Sequence, residues 1–554
     1  MNKNRPRRLH PFARTLAAEH RHGLLGRREF LSRATALGLS APAALGLIGA
    51  PGPARAAGHV RQGGTLRIQQ EVRPLKDTRT YDWSPIANLT RGTLEYLIEY
   101  NNDGSFRGIL LSGWEVSDDA TRIVLNLRPG IMWSNGDPFT AADVVRNIER
   151  WCDRSVTGNS MAGRMATLID EGTGKLIDGA AEVTDDLTVT LSLRRPDITL
   201  IPGMADYPAA IVHESYDPEE TQTAIGTGPF RIAEHFPGER AVLERDTSRP
   251  WWGTEIYGGP FLDRIEFIDY GTDPLNWLRA FEAGEIDMNY ESVGEFIGIM
   301  DDIGLRKSEI LTAATIVIRP NQLAEVDGRR PYADRTVRRA LQLAVDNDVI
   351  LELGYGGRGA VAENHHVAPV HPEYAELPRL GPDPARAREM MAEAGLAEFE
   401  HELVSIDDDW RRTTTDAVAA QLRDAGIPVK RTVLPAASYL PKWDQWAFSS
   451  TNWNHRPLGV QVLALAYRSG EPWNETGFSN AAFDETLNDA LGIGDADQRR
   501  ASMRTLQGIL QEEGVIIQPY WRSLFRHHVE GVVGADMHVA FEIHPYKLAF
   551  TDDA

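Results

Sequence analysis

Short strand-like runs and longer helix-like runs follow one another along most of this chain without a regular order. Alternating apolar and polar residues at Thr65–Gln70 and Arg122–Leu127 predict strands. Amphipathic stretches such as Thr413–Asp424 predict helices. This mixture favours an α/β architecture over an all-α or all-β one. Because the chain has 554 residues, well above the roughly 150 of a usual domain, we expect more than one lobe.

Further elements follow from the same patterns. We expect additional strands at Val189–Leu193, Phe230–Ile232, Ala241–Glu244 and Ile265–Tyr270, and additional helices at Pro274–Ala283, Thr336–Leu353, Pro384–Ala394 and Gln498–Glu513. Thr140, with Asp143 three residues later, is a predicted N-cap for a helix that starts at Ala141.

The first 56 residues differ in charge from the rest. They contain ten basic and two acidic residues, whereas the whole chain has a net charge of −21. Arg27-Arg28-Glu29-Phe30-Leu31 is followed by an uncharged stretch from Ala34 to Ile48 and a small-residue exit at Ala54–Ala56. This order predicts a cleaved export signal in residues 1–56. It resembles the twin-arginine type, which uses the twin-arginine export machinery, and places the mature protein in the periplasm. A short amphipathic anchor is the alternative.

The body of the chain is strongly acidic, which excludes nucleic acid and anionic membrane surfaces as electrostatic partners. Cys152 is the only cysteine, so an intramolecular disulfide and an all-cysteine metal site are both impossible. The sequence lacks G-x-S-x-G, H-E-x-x-H and P-loop motifs. We therefore expect neither catalysis nor a cofactor.

Eight segments together resemble the extracytoplasmic solute-binding proteins of peptide and nickel ABC transporters, known as solute-binding family 5. They occur in the family's order, at 114–119 (WEVSDD), 127–145 (LRPGIMWSNGDPFTAADVV), 226–230 (GTGPF), 260–267 (PFLDRIEF), 280–288 (AFEAGEIDM), 337–350 (VRRALQLAVDNDVI), 383–396 (DPARAREMMAEAGL) and 477–487 (GFSNAAFDETL). The resemblance covers nearly the whole chain after the predicted signal.

The resemblance implies a periplasmic binding protein-like fold of type II, with two lobes, a hinge and an inserted extra subdomain. Lobe I would comprise 57–98, 225–320 and 520–554, the inserted subdomain 99–224, and lobe II 321–519. Two crossing strands near Ile316–Asn321 and Ile516–Tyr520 would form the hinge. Closure of such a hinge buries a ligand between the lobes.

The segment between Trp446 and Trp473 contains the candidate ligand-binding residues. Aromatic rings alternate there with polar and charged side chains, which suits a pocket for a polar organic ligand. The candidates are Asn452, Trp453, Asn454, His455, Arg456 and Trp473. A surface loop that packs its tryptophans on the domain below is the alternative. On the opposite wall we expect Tyr81, Trp83, Asn159 and Met161; Tyr81 and Trp83 could equally be core residues.

One position departs from the family pattern. Peptide binders of the family place an aspartate shortly after the tryptophan to hold the ligand's α-ammonium group. This chain has Asn454, His455 and Arg456 there. A guanidinium suits a carboxylate or phosphate instead. An anionic ligand therefore becomes an alternative to an ordinary peptide, and Arg456→Asp is expected to weaken binding with little change in stability.

Two other patterns have weaker interpretations. The run from Gly354 to Gly359 fits G-x-G-x-x-G, but it follows a predicted helix, so we interpret it as a loop and not as a dinucleotide site. His365, His366 and His371 could bind a metal. The alternative is that these loop histidines are exposed to solvent.

These observations predict the periplasmic substrate-binding component of an ABC importer, a monomer that passes a peptide or peptide-like solute to permease subunits in the inner membrane. A binder of an anionic solute such as an opine-like conjugate, or of a metal chelate such as nickel, is the first alternative. A periplasmic hydrolase and a binding module for a chemoreceptor or chaperone are alternatives of other classes.

Overall fold

A computed structural model describes residues 11–23, 25–50, 60–117 and 119–552. The predicted signal exit at Ala54–Ala56, the first basic residues of the chain and Asp118 of the WEVSDD segment lie outside the described residues.

One large mixed sheet runs through the molecule and joins both lobes. In spatial order its strands are Phe230–Phe236, Arg240–Arg245, Arg264–Ile268, Thr65–Gln69, Met288–Asn289, Tyr520–His528, Arg306–Pro320, Phe448–Trp453, His401–Ile406 and Val429–Leu434. A further strand, Gly359–Val361, branches from Tyr520–His528. The two-lobed α/β fold expected from the sequence is confirmed.

Two long strands at the centre of this sheet connect the lobes. The first crossing strand, Arg306–Pro320, pairs with the second crossing strand, Tyr520–His528, through its N-terminal half. Its C-terminal half, from Thr315 onward, pairs with Phe448–Trp453 of the second lobe. The register shifts between Leu311 and Thr315, where the strand passes from one lobe to the other. The first strand contains most of the predicted range Ile316–Asn321. The second begins only at Tyr520, the last residue of the predicted range Ile516–Tyr520, within which Ile517 forms a single bridge to Ile318. Their function as a hinge stays a prediction.

The inserted subdomain has its own antiparallel sheet and hydrophobic core. The sheet consists of Leu111–Val116, Arg122–Leu127, Thr188–Ser192 and Ala181–Asp185. The helix Ala141–Trp151 starts as predicted, because the Thr140 backbone N–H donates to Asp143 Oδ2 at 2.9 Å. Cys152, which follows this helix, is fully buried. The exact lobe boundaries at 98, 224, 320 and 519 stay predictions.

The second lobe is built from helices around the far end of the large sheet. Its helices are Arg335–Leu343, Asn347–Tyr355, Pro384–Glu393, Asp409–Asp424, Ala436–Tyr439, Gly459–Ala466, Ala481–Leu491 and Ala496–Glu513. The prediction of one helix over Thr336–Leu353 is wrong, because Asp346 interrupts it. The Asp346 carboxylate accepts the backbone N–H of Asp348 at 3.0 Å and caps a second helix.

The remaining helices are shorter or belong to the first lobe and the subdomain: Ser84–Thr90, Met161–Arg164, Leu200–Met204, Thr254–Tyr257, Pro274–Glu282 and Phe296–Asp302. The remaining strands form small two- and three-stranded sheets, at Val60–Arg61 with Ala549–Thr551 and Val532–Val533, Ile98–Tyr100 with Phe106–Gly108, and Ile169–Asp170 with Lys175–Leu176. None of the helices within the described part of the chain combines the length and apolar character needed to cross a membrane.

The N-terminal segment, residues 11–23 and 25–50, forms three helices: Pro11–Arg21, Arg27–Ala36 and Ala41–Leu47. They share a small hydrophobic core of their own, centred on Phe30 and Leu31. The uncharged stretch that predicts an export signal therefore lies on two of these helices.

Candidate ligand-binding site

A small cavity lies where the first lobe, the inserted subdomain and the second lobe meet. Its lining contains four indole rings and several polar groups, from Asp82, Trp83, Tyr207, Trp443, Asn452, Trp453, Asn454, Arg456 and Trp473. The volume is about 20 Å³, which is room for about one water molecule. The side chains of the lining thus nearly fill this cavity.

The structure brings together six of the ten residues singled out from the sequence. Trp83, Asn452, Trp453, Asn454, Arg456 and Trp473 line this cavity. Asn452 and Trp453 end the strand Phe448–Trp453, so the sheet itself fixes their position. Trp83 precedes the helix Ser84–Thr90 on the facing side. Trp453 and Trp473 are both buried and belong to one apolar cluster, which also fits the alternative that these tryptophans pack on the domain below; their role in ligand binding stays a prediction.

The tryptophans are held by specific partners. Trp453 Nε1 donates to Glu475 Oε1 at 2.7 Å, and Arg319 Nε donates to the other carboxylate oxygen of Glu475 at 2.7 Å. Trp473 stacks on Tyr207 with ring centroids 6.0 Å apart, which links the second lobe to the subdomain. Such buried polar partners fix the indole orientations before a ligand arrives.

Arg456 is buried and paired inside the protein. Its Nε lies 3.0 Å from Asp206 Oδ2, and its guanidinium carbon lies 5.7 Å from the Trp473 ring centroid. Arg164 Nε donates to the same Asp206 oxygen at 2.9 Å. Burial opposes ionisation of Asp206, but Arg164 and Arg456 hold the pKa of its carboxyl below its usual value. Two guanidinium groups and one carboxylate leave this group with one net positive charge.

The other four sequence candidates do not line this cavity. His455 lies beneath it, where its Nδ1 accepts the backbone N–H of Ala313 on the first crossing strand at 3.0 Å. Tyr81 belongs to the apolar cluster below the tryptophans. Asn159 donates its side-chain amide to Trp151 O at 3.1 Å, and Met161 lies in the core of the inserted subdomain. Their role in ligand binding stays a prediction.

Three lining residues were missed by the sequence reasoning. Asp82 stands between two candidates and supplies a carboxylate, which is paired with Lys76 at 2.9 Å. Trp443 contacts Trp83 edge-on with ring centroids 5.9 Å apart. Tyr207 comes from the inserted subdomain. Asp82 could have been predicted, because it is next to the candidate Trp83 in the sequence. Trp443 and Tyr207 reach the cavity through contacts between distant parts of the chain.

A second cavity of about 90 Å³ continues along the same junction. Residues 69–71, 290, 291 and 408–411 contribute to its lining. Arg411 Nη1 donates to Asn452 Oδ1 at 2.9 Å and so connects the two cavities. Four carboxylates, those of Glu71, Glu291, Asp408 and Asp409, surround this space.

The loop histidines are buried, which contradicts the solvent-exposed alternative. His365 Nε2 contacts Glu363 Oε2 at 2.9 Å, His366 Nδ1 contacts the Tyr467 hydroxyl at 2.7 Å, and His371 Nε2 contacts Arg456 O at 3.1 Å. Burial lowers the pKa of His371 to about 4. Protein groups thus already occupy a ring nitrogen of each, and whether they bind a metal stays untested.

Within the described residues, one group of three side chains has metal-ligand spacing: His538, Glu542 and His544. His538 Nδ1 already accepts the Ala540 backbone N–H at 3.1 Å, and Arg91 lies 3.0 Å from Glu542 Oε1. Burial raises the pKa of Glu542 to about 7, although Arg91 opposes this shift. We assign these groups to the packing of the C-terminal segment. The G-x-G-x-x-G run is the loop that ends the helix Asn347–Tyr355, with Gly356 in the left-handed conformation.

Two lobes joined by crossing strands, with an aromatic cavity buried between them, define an extracytoplasmic solute-binding protein of the type II fold. The model of the bacterial extracellular solute-binding proteins, family 5, matches residues 106–474. The chain therefore belongs to that family.

Relatives and solved structures agree with this placement. A probable peptide ABC transporter periplasmic-binding protein of Sinorhizobium fredii is 26% identical over 57% of this chain; the match spans 60% of that relative. OppA of Haemophilus influenzae, solved with the peptide RPPGFSPFR, superposes with a TM-score of 0.78 and 18% identity over 89% of this chain and 100% of that one. AgaA of A. tumefaciens R10, solved with agropinic acid, has a TM-score of 0.77 and 19% identity over 88% and 99%.

Proposed function

We propose that this protein is the periplasmic substrate-binding component of an ABC importer, which binds a peptide or peptide-like solute between its lobes and delivers it to permease subunits in the membrane. The observation that carries the proposal is the cavity at the lobe junction, where Trp83, Trp453 and Trp473 surround polar groups at the end of a sheet strand. No catalytic step is part of it.

The ligand site offers a peptide two kinds of contact. Trp83, Trp443, Trp453 and Trp473 provide flat apolar surface for side chains of varied shape. The side-chain amides of Asn452 and Asn454 provide hydrogen bonds that can orient a peptide backbone. The name of the Sinorhizobium relative and the peptide bound to OppA support this class of ligand.

The charges around the site support a ligand with an anionic group as the second candidate. The group formed by Arg164, Asp206 and Arg456 carries one net positive charge in a buried setting, where electrostatic interactions are strong. A ligand carboxylate that approaches Arg456 would compete with Asp206 for the guanidinium. AgaA with agropinic acid shows that a similar fold holds such a compound.

Native mass spectrometry of the purified protein tests both candidates. We expect a co-purified mass that corresponds to a short peptide or a peptide conjugate and disappears after partial unfolding and refolding. Calorimetry with a defined tetrapeptide mixture and with an opine should then give saturable binding to one of them. If neither class binds, the proposed function is wrong. Product release during incubation with the peptides would instead favour the hydrolase alternative.

The proposed partners are the permease subunits of the importer and the twin-arginine export machinery, and the proposed state is a monomer. A deletion strain provides the test of transport. We expect that it fails to take up the solute identified by mass spectrometry and that the wild-type gene restores uptake. Unimpaired uptake would contradict the transport role and would favour a chemoreceptor or chaperone module.

A further inference from the structure

The second cavity at the lobe junction has an excess of negative charge. Three of the four carboxylates in its lining are paired with arginines, namely Glu71 with Arg73 at 3.0 Å, Asp408 with Arg411, and Glu291 with Arg522. The fourth carboxylate, that of Asp409, has no hydrogen bond or ion pair to any residue that the structure describes. One negative charge in this lining is therefore left without a paired cation.

The surroundings of Asp409 add to this excess. Asp409 is the first residue of a second-lobe helix and is half-buried. Burial and the nearby carboxylates of Asp408 and Glu295 raise the pKa of its carboxyl group above the usual value, although Arg412 opposes this shift. Arg412 is itself paired with Asp407 at 2.9 Å. The helix dipole, roughly half an elementary charge, offsets only a part. An added cation would therefore relieve the repulsion around Asp409.

Gln69 supplies an unused acceptor in the same cavity. It ends the strand Thr65–Gln69 of the first lobe, lines the cavity and is 3% exposed. Its side-chain oxygen Oε1 has no hydrogen-bond partner in the described part of the chain. A buried acceptor without a partner costs free energy, which a donor on a bound solute would recover. This amide thus points to a ligand with N–H groups.

The carboxylate of Asp409 crosses the junction between the lobes. A Cβ atom built on Gly294 of the first lobe would lie only 2.0 Å from Asp409 Oδ2. The second lobe therefore brings this charge against the first lobe, to which Gln69 belongs. A cation in the cavity would touch groups from both lobes, so its binding would favour their approach.

The remaining wall and the volume also suit an organic cation. Trp277 and Tyr290 of the first lobe line the cavity. Phe541 covers one face of Tyr290, with ring centroids 5.3 Å apart. Aromatic ring faces attract cations within about 6 Å. The volume of about 90 Å³ is room for several water molecules, and hence for an ammonium or guanidinium group.

The two cavities differ in the sign of their charge. The first lies beside the group formed by Arg164, Asp206 and Arg456, which has one net positive charge. The second contains the unpaired carboxylate of Asp409. The hydrogen bond from Arg411 to Asn452 connects the two spaces. A solute that spans both cavities therefore meets a positive group at one end and a negative group at the other.

We propose that the second cavity is a subsite for the cationic group of the solute, an ammonium or a guanidinium, and that Asp409 and Gln69 bind this group. The solute then lies across both cavities as a zwitterion, with its anionic group towards Arg456. This inference rests on the proposed binding function and makes the class of ligand more specific.

Two forms of one tetrapeptide mixture test the subsite by calorimetry. The mixture contains no lysine, arginine or histidine, so the free amino end is the only cation, and the second form is N-acetylated. We expect the unchanged protein to bind the free form roughly tenfold more tightly, as for the gain of a hydrogen bond to a charged group. Equal binding of both forms would overturn the inference and leave the proposed function standing. If neither form binds, the proposed function is wrong for peptides, and the subsite is wrong with it.

A charge-neutral variant locates the cation. Asp409→Asn keeps the shape of the side chain and removes its charge. We expect this variant to bind the free form roughly tenfold more weakly and the acetylated form as before. Asp424→Asn, at the exposed last residue of the same helix, is the matched control and should keep the preference for the free form. If Asp409→Asn also keeps this preference, the cation is bound elsewhere and the assignment is wrong.

Unfolding of the ligand-free protein distinguishes a binding role from a structural one. Asp408 accepts the Arg411 backbone N–H at 3.0 Å and also pairs with the Arg411 side chain. Asp408→Ala should therefore lower the unfolding temperature. Asp409→Ala should leave it unchanged or raise it, because this change removes repulsion and no hydrogen bond of the carboxylate. An equal decrease in both variants would show that Asp409 is a structural residue and would overturn the inference.

Discussion

At the scale of single residues, Asp206 pairs with both Arg164 and Arg456 beside the candidate ligand site. The sequence predicts that the Arg456 guanidinium binds a ligand anion, but in the structure it is buried and paired with Asp206. The substitution Arg456→Asp would place a second carboxylate beside Asp206 in a buried position. The expectation that this change leaves stability unaffected is therefore withdrawn.

A milder change gives the first prediction. Arg456→Met keeps an unbranched apolar side chain but removes the guanidinium group and its charge. We expect a loss of about 1–3 kcal/mol in the free energy of unfolding, because Asp206 loses one of its two cationic partners and keeps Arg164 and the Tyr207 backbone N–H. Urea denaturation measures it. Arg306→Met, at an exposed pair with Glu530, is the control and should change stability far less. Equal effects would contradict the assigned role of the buried pair.

His401 gives a prediction for acid sensitivity. Burial lowers the pKa of this histidine to about 4, whereas the unfolded chain has a value of about 6.5. The unfolded state therefore binds more protons between these values, and stability falls as the pH is lowered from 6.5 towards 4. At pH 5 the loss from this one residue is about 2 kcal/mol. We expect the free energy of unfolding, measured by denaturation at several pH values, to fall less steeply below pH 6.5 in His401→Gln than in the unchanged protein. The same pH dependence in both proteins would show that His401 is not its cause.

At the scale of elements, one aspartate decides between one helix and two. Asp346 caps the helix Asn347–Tyr355 by accepting backbone N–H groups of Asp348 and Val349 at 3.0 and 3.4 Å. Asp346→Ala should destabilise the protein by about 1 kcal/mol, as the loss of an N-cap usually does. Thermal or urea unfolding measures the change. Asp348→Ala, at an exposed first-turn position of the same helix, is the comparison; a larger effect there would disprove the cap assignment.

Most of the elements predicted from the sequence are present in the structure, but the break at Asp346 was not predicted. The run from Val337 to Ile350 keeps its apolar spacing across Asp346, so periodicity alone predicts a continuous helix. The cap is recognised only in the structure, where the backbone of Asp346 leaves the helical conformation and its side chain accepts backbone hydrogen bonds. The strand predicted at Ile265–Tyr270 is present at Arg264–Ile268. It could be predicted because the alternation of apolar and polar residues and the flanking turn residues are local signals.

The ligand site was predictable to the extent that its residues are neighbours in the chain. Asn452, Trp453, Asn454 and Arg456 lie within five positions and all line the cavity. Tyr207 and Asp206 reach them from the inserted subdomain, more than two hundred residues away. No local pattern announces such a contact, which depends on how the subdomain packs against the second lobe.

At the scale of the whole molecule, the two cavities beside the candidate ligand-binding residues are small, at about 20 and 90 Å³. A cavity of about 20 Å³ cannot admit a peptide, so we propose that the lobes separate before binding and close again on the ligand. We expect small-angle scattering of the chain freed from residues 1–56 to give a smaller radius of gyration with ligand than without. No change in radius would show that the site fills without lobe movement.

Ligand binding should also stabilise the closed molecule. A ligand that binds only the folded state at one hundred times its dissociation constant adds about 2.7 kcal/mol. Differential scanning calorimetry should therefore show a higher unfolding temperature with the ligand identified by mass spectrometry. A matched compound that lacks the anionic group distinguishes the two proposed ligand classes. If the protein recognises the anion, this compound should raise the unfolding temperature much less than the ligand does.

Four indole rings meet in the cavity between the lobes, and this arrangement gives the protein a built-in optical signal. Indole emission depends on the polarity around the ring, so exchange of protein contacts for ligand contacts changes its colour and intensity. The chain has 13 tryptophans in total, and those of the cavity are the ones that we propose a bound solute would touch. Ligand binding could thus be followed by the intrinsic tryptophan fluorescence of the protein without an added dye. The protein could serve as the starting point for a label-free sensor.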